Sequence, residues 1–145
     1  MIKNNLSILE DDDGLYIGEL NRIKFRDGFG LLFYPNGSQK FFIGYFKDNQ
    51  KDKNGTLYLN CDKIYYTGEY KYNKPFGNGK YFLENGECVE GEFNEVGTGN
   101  GIYTFKDGSY WKGGFYGWCM DGQGELFTKT GEKKGFKKYY LHSCV

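Results

Sequence analysis

The sequence predicts an all-β protein, a single elongated antiparallel meander of about ten to twelve short strands built as hairpin stacked on hairpin. Three observations carry that expectation. Of the 145 residues, 23 are Gly, 14 Tyr and 13 Phe, and none is Ala; Tyr and Phe favour pleated, half-buried surfaces, whereas Ala leads the helix formers. A large residue followed two positions later by Gly recurs along almost the whole chain. A turn residue then returns at a fixed distance behind a second glycine, which is the mark of a repeated supersecondary unit.

Five copies open with Tyr16-Ile17-Gly18, Phe42-Ile43-Gly44, Tyr66-Thr67-Gly68, Val89-Glu90-Gly91 and Trp111-Lys112-Gly113, and Lys133-Lys134-Gly135 is a degenerate sixth. Successive glycines of this set are 26, 24, 23, 22 and 22 residues apart. Two residues past each of the first five stands Leu20, Phe46, Tyr70, Phe93 or Phe115, followed by a polar loop that ends at Gly30, Gly55, Gly79, Gly101 or Gly124. In four copies that glycine closes a Gly-x-Gly pair; the second copy has Lys53-Asn54-Gly55 instead. Seven residues beyond comes Gly37, Asp62, Gly86, Gly108 or Gly131. The repeats thus start near residues 16, 42, 66, 89 and 111, with the sixth near 133. They define a repeat domain over 14–136, preceded by an N-terminal cap over 1–13 and followed by a C-terminal tail over 137–145.

The intervals also fix a register. Strands centred on the residue before the turn glycine leave three-residue loops at Glu84-Asn85-Gly86 and Lys106-Asp107-Gly108, a type I turn closed by a left-handed Gly. Gly79 then faces Gly91, Tyr81 faces Val89, Gly101 faces Gly113, and Tyr103 faces Trp111. Cross-strand partners share a face, so a row of glycines is flanked by large side chains that lie over the bare backbone. The two extra residues of the first period fall in the 36–40 turn. The second copy, without its first Gly-x-Gly glycine and its turn glycine, is expected to form a distorted hairpin. Buried positions are expected at Leu20, Leu32, Phe42, Phe46, Leu57, Tyr66, Tyr70, Tyr81, Val89, Phe93, Tyr103, Trp111, Phe115 and Leu126.

Tyr66-Thr67-Gly68-Glu69-Tyr70, with Gly77-Asn78-Gly79 and Asn85-Gly86 behind it, resembles the MORN (membrane occupation and recognition nexus) repeat. The resemblance spans about residues 14 to 136. It implies a non-enzymatic adaptor at membranes, cilia or the cortical cytoskeleton, often self-associating, which extends to a possible homodimer here. MORN repeats beside lipid kinase or methyltransferase domains also imply regulation of an enzyme, but this sequence carries no such domain.

Other chemistry is thinly represented. "GTGNG" at 97–101 opens a strand rather than a helix, so it is a tooth of the repeat and not a phosphate loop. With one His, His142, and no nucleophile motif, no catalytic constellation emerges and no enzyme is expected. Glu19, Glu69 and Glu92 recur at one repeat position, which suggests a structural task such as bonding a loop amide. Cys61, Cys88, Cys119 and Cys144 form no CxxC pair, so neither a metal site nor a cofactor is expected, and the thiols are read as reduced in a cytoplasmic protein. Lys plus Arg and Asp plus Glu both number 19, a balance that argues against nucleic acid as a partner.

The face opposite the glycine row is the candidate site. Phe33, Tyr58, Phe82, Thr104 and Phe127 stand three residues past each second glycine, with Ile17, Ile43, Tyr45 and Ile102 beside them. Phe33, Tyr58, Phe82, Phe127, Ile43 and Tyr45 are therefore the expected contacts for a protein partner, a helix or extended segment. The competing reading is that this face is merely covered by the rest of the chain. Lys133, Lys134, Lys137 and Lys138 are an alternative site for anionic lipid such as a phosphoinositide. Lys47, Lys51 and Lys53 form a second basic cluster that reads as a solvated loop.

Overall fold

The computed structural model describes residues 6–140, in which twelve strands lie in one antiparallel sheet in chain order. They are β1 Ser7–Asp11, β2 Gly14–Leu20, β3 Arg26–Phe33, β4 Phe41–Lys47, β5 Gln50–Asn60, β6 Lys63–Lys71, β7 Lys74–Phe82, β8 Cys88–Phe93, β9 Gly99–Thr104, β10 Tyr110–Tyr116, β11 Cys119–Phe127 and β12 Lys133–Tyr139. No helix occurs among the described residues. Two compact units divide the chain between Lys74 and Pro75.

The deduced register is the observed one. Gly79 pairs with Gly91 and Tyr81 with Val89; Gly101 pairs with Gly113 and Tyr103 with Trp111. Leu83 N–H donates to Glu87 C=O, and Gly86 N–H to Leu83 C=O, which closes the expected three-residue loop. In the first unit the corresponding closure is Tyr34 N–H to Lys40 C=O, a loop two residues longer. The second-copy hairpin turns on Cys61-Asp62 alone, and its strands slip register twice between Leu57 and Asn60.

Rings laid on glycines hold both units together. In the first, a Cβ added at Gly18 or Gly30 would collide with the Tyr16 ring, and one added at Gly44 or Gly55 with the Phe42 ring. Trp111 covers Gly113 and Gly124 in the same way in the second. Rings then meet edge to face. Tyr16–Phe46, Phe46–Phe42, Phe42–Tyr70 and Tyr70–Tyr66 have centroids 5.1–5.3 Å apart and interplanar angles of 80–89°. Such pairs contribute about 0.5–1.5 kcal/mol each beyond the area they bury. In the second unit Phe93 and Trp111 both meet Phe115 in this manner, above Val89, Tyr103 and Met120. Leu20, Tyr81 and Leu126, expected to be buried, are only partly so; Tyr16, Cys119 and Met120 are core residues in addition to those expected.

Between hairpins the polar loops take two forms. Asp48-Asn49, Tyr72-Asn73 and Gly117-Trp118 are two-residue turns with both φ values positive, the type I′ geometry that matches strand twist. Asn21–Phe25 and Asn94–Thr98 are wider turns in which the leading Asn Oδ1 accepts two backbone N–H groups. Gly97 holds the left-handed position of the second wide turn and Lys24, at φ 65°, holds it in the first. Lys53 (φ 56°) likewise stands where Gly28, Gly77 and Gly122 supply a left-handed residue in their Gly-x-Gly pairs.

One cysteine differs from the reduced state expected. Cys119 is disulfide-bonded, whereas Cys61 and Cys88 are free thiols. His142 and Cys144 lie outside the described residues.

These backbone observations make two quantitative expectations. Lys24→Gly and Lys53→Gly should each stabilise by about 0.5–1 kcal/mol, because Gly occupies the left-handed region without the Cβ penalty. Gly30→Ala, in the opposite sense, should cost at least about 2 kcal/mol by displacing the Tyr16 ring. Urea midpoints at unchanged m-value measure all three.

Candidate functional site

Alternation sends Tyr16, Leu32, Phe42, Leu57 and Tyr66 to the buried face and their neighbours to the opposite one. On that opposite face the first unit carries two cross-strand rows. Leu15, Phe33, Phe41, Tyr58 and Ile64 are successive partners, as are Ile8, Ile17, Leu31, Ile43, Thr56 and Thr67. Phe41 stacks on Tyr58 at 4.5 Å and 10° and stands 5.9 Å from Phe33; Phe29 and Tyr45 form a further pair at 5.4 Å. Phe33, Tyr45 and Phe29 are 40–45% exposed, so the rings form an apolar surface open to solvent among the described residues. Phe33, Tyr58, Ile43 and Tyr45 are thus brought together, and the link between Phe33 and Tyr58 is Phe41, which sequence reasoning missed. Its signal was present in the cross-strand arithmetic, which sets position 41 between 33 and 58.

The second unit presents the same positions with different chemistry. Phe82, Cys88, Thr104, Tyr110, Phe127 and Lys133 are successive partners, beside Lys80, Glu90, Ile102, Lys112, Glu125 and Phe136. Tyr110 stacks on Phe127 at 4.9 Å, but Lys112 Nζ lies 5.0 Å over the Phe127 ring and Lys80 Nζ 5.4 Å over Phe82. Lys80 also pairs with Glu90 at 3.4 Å. Phe82 and Phe127 therefore sit under a ladder of alternating charges that keeps this surface hydrated.

The four C-terminal lysines do not form one patch. Lys133 binds Glu125 at 2.6 Å and lies over Phe136. Lys137 pairs with Gly124 and Lys138 with Gln123, so these adjacent side chains leave on opposite faces. Lys134 faces Asp107, whose carboxyl is held below its usual range chiefly by hydrogen bonds from Ser109. Glu19 performs the structural task expected of it, accepting Phe29 N–H at 2.6 Å.

A second site emerges at the buried face of the first unit. Arg26 opposes Leu20 and Lys51 opposes Phe46, the place that Met120 takes opposite Phe115. Two cations thus occupy core-facing positions. Arg26, 2% exposed, is neutralised by Asp11 at 2.6 Å and Asp13 at 2.9 Å. Among the described residues Lys51 forms no ion pair; its Nζ lies 5.2, 5.2 and 5.9 Å from the ring centroids of Tyr34, Phe42 and Tyr70. Burial, reinforced by the Lys40 charge, pushes its pKa down from 10.5 to about 8, with Asp13 opposing and Arg26 assisting. Beside it opens a cavity of about 350 Å³ bordered by Asp13, Arg26, Tyr34, Asn49, Lys51 and Asn73, among others. Among the described residues no cluster of His, Cys, Asp and Glu could hold a metal ion.

No protein-family model matches the chain, and no curated protein matches its sequence.

Lys51 sets the sign of the alkaline stability profile. Its folded pKa lies below its unfolded one, so between about pH 8 and 10.5 the unfolded chain binds more protons and stability rises with pH. Tyr16, Tyr34 and Tyr66 are pushed up to about 12, mainly by burial; above their ordinary value of 10 they stay protonated only when folded, and stability falls again. Urea denaturation across this range should show a maximum near pH 10 (about midway between the two sets of pKa values). Lys51→Met should abolish the rise and leave the fall.

Proposed function

We propose that this chain is a MORN-repeat protein that works as a non-enzymatic, cytoplasmic scaffold, docking a protein partner on the aromatic face of its first unit. The observation that supports this reading is a pair of cross-strand rows, apolar from Leu15 to Ile64 in one and from Ile8 to Ile43 in the other, with Phe33, Phe41 and Tyr58 packed along the first. A soluble domain seldom leaves such a contiguous apolar surface without a use for it. The charge ladder on the second unit supports restricting the dock to the first, because desolvating Lys80, Glu90, Lys112 and Glu125 would cost more than the rings beneath them return. A pleated face offering parallel rows suits a helix or an extended segment whose side chains drop between the rows. The setting at a cytoskeletal or membrane-associated structure rests on the family resemblance.

A photo-crosslinking residue placed at Ile43 and, separately, at Ile102 tests the reading in native lysate. A partner captured at Ile43 and not at Ile102 is expected, with capture lost in a Phe33→Ser/Tyr58→Ser variant and retained in Phe82→Ser. Binding through this face should survive high salt, where attraction to anionic lipid collapses. Equal capture at both positions, or capture indifferent to Phe33 and Tyr58, would sink the proposal.

A further inference from the structure

The first unit holds a partly buried positive charge that forms no ion pair among the described residues. Arg26 and Lys51 occupy equivalent places in consecutive hairpins, yet Asp11 and Asp13 both go to Arg26. The amine of Lys51 is left with three ring faces and the cavity. Ring faces attract a cation but do not cancel its charge. Lys40, whose Nζ lies 4.9 Å from the centroid of the same Tyr34 ring, adds a like charge that outweighs the opposing effect of Asp13 at this amine.

Two further donors converge on the same cavity. Asn49 Oδ1 accepts Arg26 N–H at 2.8 Å, and Asn73 Oδ1 accepts Lys51 N–H at 2.8 Å. With the oxygen of each carboxamide committed to backbone, the free end of each is an NH2 group, which only donates. Asn49 and Asn73 both border the cavity. Arg26 Nε, in the same wall, is buried with no acceptor. Leu32, Pro35 and Phe46 give the cavity its apolar lining, while the exposed Asp12 and Asp13 also border it, Asp13 being bound to Arg26; its volume sits at the lower end for small-molecule sites.

We propose that this cavity is a binding site for a small oxyanion, a carboxylate or phosphate carried on a compact apolar body, with Lys51 as its ion-pair partner and the Asn49 and Asn73 carboxamides as hydrogen-bond donors. The anion supplies the counter-charge that the chain withholds from Lys51, and the body lies against Leu32, Tyr34 and Phe46. Because only the ammonium form of Lys51 attracts the anion, affinity must decline as pH rises through the range in which the free amine deprotonates.

The test uses the full chain and two probes, benzoate and inorganic phosphate, titrated to tens of millimolar while the Lys51 side-chain NMR signals are followed. A saturable shift confined to Lys51 and its neighbours is expected for at least one probe. Benzoate keeps its charge across the range, and its dissociation constant should weaken about tenfold from pH 7 to pH 9. Lys51→Met, shown folded by its thermal transition, should lose the response; Lys51→Arg should keep binding without the pH dependence, since guanidinium stays charged. If one probe binds and the other does not, the anion's source is assigned to carboxylates or to phosphates accordingly. Failure of both to move Lys51, equal shifts at all lysines, or unchanged binding by Lys51→Met would each overturn the proposal.

Discussion

The structure depends on one steric bargain, a large ring lying flat on two glycines of neighbouring strands. Where Tyr16 covers Gly18 and Gly30, or Trp111 covers Gly113 and Gly124, no Cβ fits beneath the ring. A sheet one layer thick has no second layer to bury its hydrophobic residues against. Rings that recline onto bare backbone solve this within a single layer, because they remove from water both their own faces and the glycine surface. The edge-to-face chain from Tyr16 to Tyr66 then follows, since reclined rings on adjacent strands present an edge to the next face. Tyr hydroxyls reach past the glycines to backbone carbonyls, as Tyr16 donates to Glu19 and Tyr66 to Glu69, both at 2.9 Å. A buried polar tip is satisfied without interrupting the stack.

That bargain explains what was legible in the sequence. A ring, a spacer and a glycine recur because the ring and the glycine two residues on share one face, so the pattern encodes strand, register and covered face together. Turn positions were legible for the same reason, being fixed by symmetry about each hairpin. The wide loops and type I′ turns were not, because Asp48-Asn49 and Tyr72-Asn73 reach the left-handed region without glycine. Their asparagines are held there by long-range exchange, Asn49 with Arg26 and Asn73 with Lys51, each Asn donating its N–H and accepting on Oδ1. Such reciprocity joins residues more than twenty positions apart and leaves no local mark.

The candidate surfaces were half legible. Counting three residues past a glycine locates Phe33, Tyr58, Phe82 and Phe127, but counts positions on alternate strands only. The intervening strand decides the character of the surface. In the first unit it contributes Phe41 and Ile43; in the second, Cys88 and Tyr110 are flanked by the Lys80–Glu90 and Lys112–Glu125 partners. A lysine above a ring shields it from water without making it available to a partner. Repeats with one backbone thus carry surfaces of opposite behaviour, and a single-position tally cannot separate them.

The same comparison between repeats isolates the cavity. Four residues before each second glycine stand Arg26, Lys51, Pro75, Gly97 and Met120. Met120 shows that an uncharged side chain fills this core-facing place in the second unit, where it is 3% exposed. In the first unit Asp11 and Asp13 both pair with Arg26, and among the described residues no carboxylate pairs with Lys51. Burying an amine among rings beside a second lysine opposes folding at neutral pH by the same free energy that lowers its pKa. A stability-driven core would place a Met or Leu there, as it does at 120. An unanswered cation beside donors that converge on open space is therefore a cost the fold carries for the cavity rather than for itself.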